Sequence, residues 1–155
     1  MISKEDLVGS WQLESWTVGY SDRDDFTYPY GEDPHGLLLY TDDGWMSASI
    51  GRKERAPFPE DVAYRKIPDA DKAEAFSSYF HYAGRYRVVD GDVIHYVTQS
   101  LNPNFPGSEQ LRHAELDGQT LVLSGKDHVG EVIRFHSLVW HKLPPTEERE
   151  VIDSD

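Results

Sequence analysis

The chain contains no cysteine, which excludes disulfides, catalytic thiols and thiolate metal sites. It has no uninterrupted run of about 18 apolar residues, the length a membrane-crossing helix needs. Met1–Gly9 shows no signal-peptide pattern, so a cytoplasmic protein without membrane contact is expected. Positive charge is scarce: 15 Lys and Arg stand against 28 Asp and Glu, a formal charge of −13. Such a surface repels nucleic acid and anionic membranes, and neither is expected as a partner. Internal repeats, Gly-rich phosphate loops, nucleophile elbows and the HxH or HExxH spacing of metal sites are also missing. No metal or other cofactor is expected.

What the sequence does have is turn punctuation. Asp42-Asp43-Gly44, Asp90-Gly91-Asp92 and Asp117-Gly118 are each flanked by residues that alternate between apolar and polar. Asp-Gly pairs tolerate positive φ, which tight turns between twisted antiparallel strands need. One segment reads as a helix, opening at Pro68-Asp69, with Ala73, Phe76 and Phe80 as its apolar face. Met1–Asp6 reads as a polar lead-in and Leu7–Val18 as the first strand. Tyr20–His35 reads as a long loop or broken strand, Gly51–Pro68 as an excursion from the sheet, and Val132–Lys142 as the closing strand. These features predict one all-β domain over residues 7–142, followed by an acidic tail at 143–155 that frays. An up-and-down antiparallel sheet of this length removes its edges by closing into a barrel. Barrels of about eight strands are just wide enough to be filled by side chains or to hold one small ligand.

The turns fix which side chains point inward. Around Asp90-Gly91 a two-residue loop pairs Val88 with Val93, Tyr86 with His95, Gly84 with Val97 and Tyr82 with Gln99. That face is the more apolar one and is read as interior. Around Asp117-Gly118 the same logic pairs Ala114 with Leu121 and Arg112 with Leu123, and carries Arg112 and Gln110 inward. A guanidinium inside a barrel costs several kcal/mol unless it meets an anion or several acceptors. Around Gly44 a three-residue loop pairs Tyr40 with Met46 and Leu38 with Ala48.

Scattered motifs give the chain a family resemblance. Leu7-Val8-Gly9-Ser10-Trp11 with Leu13, and Tyr28-Pro29-Tyr30-Gly31-Glu32-Asp33-Pro34, resemble the opening of lipocalin-like domain proteins. Gly36, Leu38, Tyr40-Thr41, Asp43-Gly44 and Met46-Ser47 continue the likeness. Tyr79 through Gly84, Tyr86, His95, Ser100-Leu101, Pro103-Asn104, Gly107, Glu109-Gln110, Arg112, Leu121, Leu123 and Leu138-Val139-Trp140 complete it. One departure is Pro103-Asn104-Phe105-Pro106, where such proteins usually show Pro-Asn-Trp. The resemblance implies a calycin-type barrel with a short helix closing one end and an interior pocket. It also implies that Trp11 seals the closed end, in a layer shared with Trp140, Leu13 and Val8. Lipocalin-like barrels include isomerases, cyclases, dehydratases and lyases acting on small hydrophobic molecules, and others that only bind them. Fold does not choose between these.

The inward polar residues suggest the chemistry. His95 titrates near neutrality when unperturbed and faces Tyr86, which makes the pair the candidates for proton transfer. Arg112 would hold a carboxylate, phenolate or enolate; its bland alternative is an internal ion pair with a loop carboxylate. Tyr82, Gln99 and Gln110 would add hydrogen bonds, while Tyr40, Met46, Phe76 and Tyr79 would shape the pocket. The resulting reading is a cofactor-independent isomerase, cyclase, dehydratase or lyase acting on an aromatic or polyketide-like molecule of secondary metabolism. The alternative is a non-catalytic binding protein of the same fold. A homodimer is compatible with either reading, through barrel faces or the excursion.

Overall fold

The computed structural model describes residues 1–146. In chain order it contains α1 (Lys4–Leu7), β1 (Gly9–Tyr20), β2 (Arg23–Thr27), β3 (His35–Tyr40) and β4 (Trp45–Gly51). After a short 3-10 turn come α2 (Asp69–Ser77), β5 (Tyr79–Val89), β6 (Asp92–Ser100), β7 (Glu109–Asp117), β8 (Thr120–Val129) and β9 (Val132–Lys142). Neighbours run β1–β3–β4–β5–β6–β7–β8–β9, and β9 pairs back onto β1, so eight antiparallel strands close into a barrel. β2 is an extra strand attached to the end of β1. The expected tail lies outside the described residues from position 147 onward. Among the described residues no helix is long and apolar enough to cross a membrane.

One end of the barrel is filled. The lead-in is ordered rather than loose: the Ser3 amide and hydroxyl both donate to the Asp6 carboxylate, at 2.9 and 3.0 Å. This places Leu7, fully buried, beneath Trp11, whose indole Nε1 donates to the Leu7 carbonyl at 2.8 Å. Tyr40, Met46, Tyr86, Val93 and Leu121 pack above them. The turns at Gly44, Gly91 and Gly118 sit at this end, with φ of +97°, +86° and +62°. The loops 52–68 and 101–108 and the β8–β9 turn lie at the other end.

Two registers differ from the alternation, with different consequences. β5 pairs with β6 as expected from Val88–Val93 to Gly84–Val97, but then Ala83 faces Gln99 and Tyr82 faces Ser100. Thr98 is an extra residue in a bulge, so Gln99 turns outward and is exposed. Between β7 and β8, Ala114 pairs with Leu123 and Leu116 with Leu121, a slip of two residues from the expected register. A two-residue slip keeps every side chain on its face, so Arg112 still points inward, but against Gly125.

Three stretches are more regular or more exposed than their sequences suggest. β1 extends to Tyr20 and turns directly into β2, and β8 extends to Val129 and pairs through the Gly130 turn with β9. Neither extension alternates, because β2 is solvent-exposed and the inward positions of distal β8 and β9 are charged. α2 buries none of its residues, and Phe76 is 54% exposed. Phe76 is thereby corrected as a pocket residue: Phe80 belongs to β5 and turns inward without it.

Candidate functional site

A cavity of about 350 Å³ opens between the barrel walls toward the end carrying the long loops. Ligand sites span roughly 300–1,000 Å³, so this one suits a small molecule. Its walls are apolar, with Leu38, Ala48, Ile50, Phe80, Leu123 and Leu138 contributing. The polar groups fall into two sets, one on the floor and one near the mouth.

On the floor, His95 is the most buried polar side chain, 1% exposed. Both ring nitrogens are bonded: Nε2 to the Tyr40 hydroxyl at 2.7 Å and Nδ1 to the Tyr82 hydroxyl at 2.6 Å. Burial, helped by the Arg112 charge, pushes its pKa down to about 3, so the ring is neutral. A neutral imidazole has one donor and one acceptor. One tyrosine hydroxyl therefore donates to the ring and the other accepts from it. Tyr82 also lines the cavity. Burial raises the pKa of both tyrosines, and the nearby Arg112 charge opposes that rise, so both remain protonated donors.

Two further donors face the same space. Arg112 lines the cavity, with one η nitrogen donating to the Leu111 carbonyl at 2.9 Å. The ion pair left open for it by the sequence is not formed among the described residues. Its niche exists because position 125 is glycine: a Cβ there would lie 2.7 Å from the guanidinium. Trp140 also lines the cavity, and its Nε1 is buried without any hydrogen-bond partner. An unmet buried donor costs roughly 1–3 kcal/mol. The sequence assigns Trp140 only to packing at the sealed end; composition gives no sign of the unmet donor.

Nearer the mouth lies a second set with no counterpart among the residues expected from the sequence. Arg134 grips the Asp127 carboxylate through two nitrogens, at 2.7 and 2.6 Å, holding its pKa below the usual carboxylate range. His136 Nε2 bonds the same carboxylate at 3.0 Å, and the Trp16 indole N–H donates to His136 Nδ1 at 3.2 Å. All four side chains line the cavity. The signal that could have found them is the inward parity of Asp127, Arg134 and His136, which is hidden because apolar alternation stops at Ser124. Among the described residues no three His, Asp or Glu side chains converge as a metal-ion set would.

The remaining expected site residues fall in different places. Tyr86 does face His95 across the strands, but its hydroxyl donates to the Thr41 carbonyl at 2.7 Å, so Tyr40 takes its place on the imidazole. Tyr40 and Met46 pair with each other in the packed layer below the cavity. Gln110 lines the cavity and donates to Ser108 Oγ at 3.0 Å. Gln99 is removed from the site by the Thr98 bulge. Tyr79 is corrected too: its odd position in β5 turns it to the outer wall, beneath the Arg55 guanidinium, 5.0 Å from its ring centre.

Comparison with known proteins gives one clear match. The lipocalin-like domain profile matches residues 8–143. No curated protein matches the sequence. Among solved structures, a mutant of the fluorescent protein UnaG is similar, at 13% identity and a TM-score of 0.36, over 89% of this chain and 96% of that one.

Proposed function

Because the chain belongs to the lipocalin-like domain family, we propose that its barrel holds a small, mostly apolar molecule by an anionic oxygen at the inner end. The observation that carries this reading is the convergence of the Arg112 guanidinium, the Tyr82 hydroxyl and the unpartnered Trp140 N–H on one apolar cavity. A guanidinium, a phenol and an unpartnered indole N–H on one cavity suit a carboxylate, phenolate or enolate oxygen. An apolar wall of this size suits an aromatic body of about two fused rings.

Isothermal titration with 2-naphthoate and with its methyl ester tests the reading. The acid binds and the ester binds much more weakly. Hydrogen bonds to a charged group contribute about 1.5–3 kcal/mol, so Arg112→Gln weakens 2-naphthoate by about 10- to 100-fold. The ester, lacking the charge, is affected far less. Equal affinity for acid and ester, or an Arg112→Gln variant that binds the acid as the wild type does, would rule the anionic pole out.

A second reading adds turnover by proton transfer, as in the isomerase, cyclase, dehydratase and lyase chemistries expected from the sequence. The Tyr82–His95–Tyr40 chain favours it as a path along which polar groups reach the cavity. His95 itself is poorly suited to be the base in that reading. Its lone pair and its N–H are both held by the two tyrosines and only 1% of the residue is exposed, so it acts on a ligand only through them.

A further inference from the structure

We propose that His136, oriented by Asp127, is the proton acceptor of the cavity, and that it removes a proton from carbon next to a carbonyl whose oxygen rests on Arg112. The inference rests on the ligand reading above and adds a reaction to it.

The geometry starts from Asp127. Arg134 fixes this carboxylate through two hydrogen bonds, and its remaining capacity goes to His136 Nε2. The acceptor of the imidazole must therefore be Nδ1, and the 3.2 Å bond from the Trp16 indole N–H requires a lone pair there. A carboxylate behind one nitrogen and a lone pair on the other, held in the free protein only by the Trp16 N–H, is the arrangement of a general base once that indole moves aside. His136 lines the cavity and 15% of its side chain is exposed, so a ligand can reach it. Burial keeps its pKa below the ordinary histidine value, with the Asp127 charge opposing, so the ring is neutral and able to take a proton near pH 7.

The neighbouring cation completes the pair. Gly125 and His136 are partners across β8 and β9, and the Arg112 guanidinium lies in the space a side chain at 125 would fill. The base and the oxyanion donor are thus adjacent on one wall. In the step, Nδ1 takes the proton, the C–H electron pair forms a carbon–carbon double bond, and the carbonyl pair moves to oxygen as an enolate held by Arg112. Returning the proton to the same carbon gives exchange with solvent; returning it further along a conjugated chain gives isomerisation. No oxidant, reductant or cofactor enters the balance. In the free protein the Trp16 N–H stands where the substrate proton would arrive, so substrate displaces Trp16 from Nδ1.

The probe is 2-tetralone, whose enol has the outline of 2-naphthol. Exchange of its C1 protons in D2O is followed by proton NMR with the full chain, and binding of 2-naphthol is measured in parallel by titration. The wild type accelerates exchange above buffer. His136→Gln binds 2-naphthol as the wild type does but slows catalysed exchange by about a hundredfold or more, the range for losing a positioned base. If 2-naphthol binds while the wild type leaves exchange at the buffer rate, the base assignment is wrong and the binding reading stands. Undiminished exchange in His136→Gln overturns the base assignment equally. If neither 2-naphthol nor 2-naphthoate binds, the ligand reading fails and this inference falls with it.

Discussion

Acid destabilises this barrel through the buried His95 ring. The His95 pKa is about 3 in the folded protein, against an ordinary value of 6.5. The unfolded chain therefore binds the extra proton over the pH range between those values, and stability rises with pH across it. The contribution of His95 is fully present above about pH 6.5 and is lost progressively as the pH falls toward 3. Each pH unit in that window is worth about 1.4 kcal/mol, so about 3 kcal/mol is gone by pH 4. Protonation also breaks the donor–acceptor order with the two tyrosines, because neither ring nitrogen can then accept. Urea denaturation at pH 7 and pH 4, on wild type and His95→Gln, isolates the effect. His136 and Asp127 titrate in both proteins and cancel in the comparison. The wild type loses about 3 kcal/mol more than the variant; parallel losses would mean that His95 is not held neutral by burial.

Gly84→Ala is expected to cost about 3 kcal/mol or more, at or above the upper end for inserting a methyl into a packed interior. A Cβ at position 84 would overlap the Tyr96 carbonyl oxygen and approach the Tyr96 carbonyl carbon to 2.9 Å and the Thr98 amide to 3.0 Å. All three obstacles are backbone in the bulge, so no rotamer change relieves them. The bulge is also what turns Gln99 out while keeping Tyr82 in line with His95. Urea denaturation of Gly84→Ala should show a much earlier midpoint, and near-normal stability would mean the bulge can be drawn out at little cost.

The sequence and the structure agree where a turn is flanked by one clean apolar face. Asp42-Asp43-Gly44 and Asp90-Gly91 place Tyr40 opposite Met46 and Tyr86 opposite His95, because period-two alternation leaves only one register that buries the apolar set. The Asp117-Gly118 register slips by two and still delivers Arg112 to the interior. Pairing of Cα atoms, however, does not say where long side chains end. Tyr86 leans along its strand to the Thr41 carbonyl, and Tyr40 reaches His95 instead. The bulge at Thr98 was not legible, since its cause is a close approach of Gly84 to backbone distant in sequence. The mouth was hidden for a different reason: Asp127, Arg134 and His136 put polar groups on inward positions, so the apolar alternation fails there. α2 misled because Ala73 and Phe76 share a helix face, yet no residue of that helix is buried among the described residues.

The central claim is that a ligand oxygen completes the donors on the cavity floor, and Trp140 reports on it most directly. Its indole N–H is buried and bonded to nothing among the described residues. The chain has four tryptophans, so nitrogen–proton NMR gives four indole signals, with that of Trp140 identified by its loss in Trp140→Phe. On titration with 2-naphthoate the Trp140 signal should move to lower field and saturate, as an N–H does on gaining a charged acceptor, while methyl 2-naphthoate moves it much less. A Trp140 signal that stays in place while 2-naphthoate binds would contradict the claim, because the oxygen would then lie elsewhere.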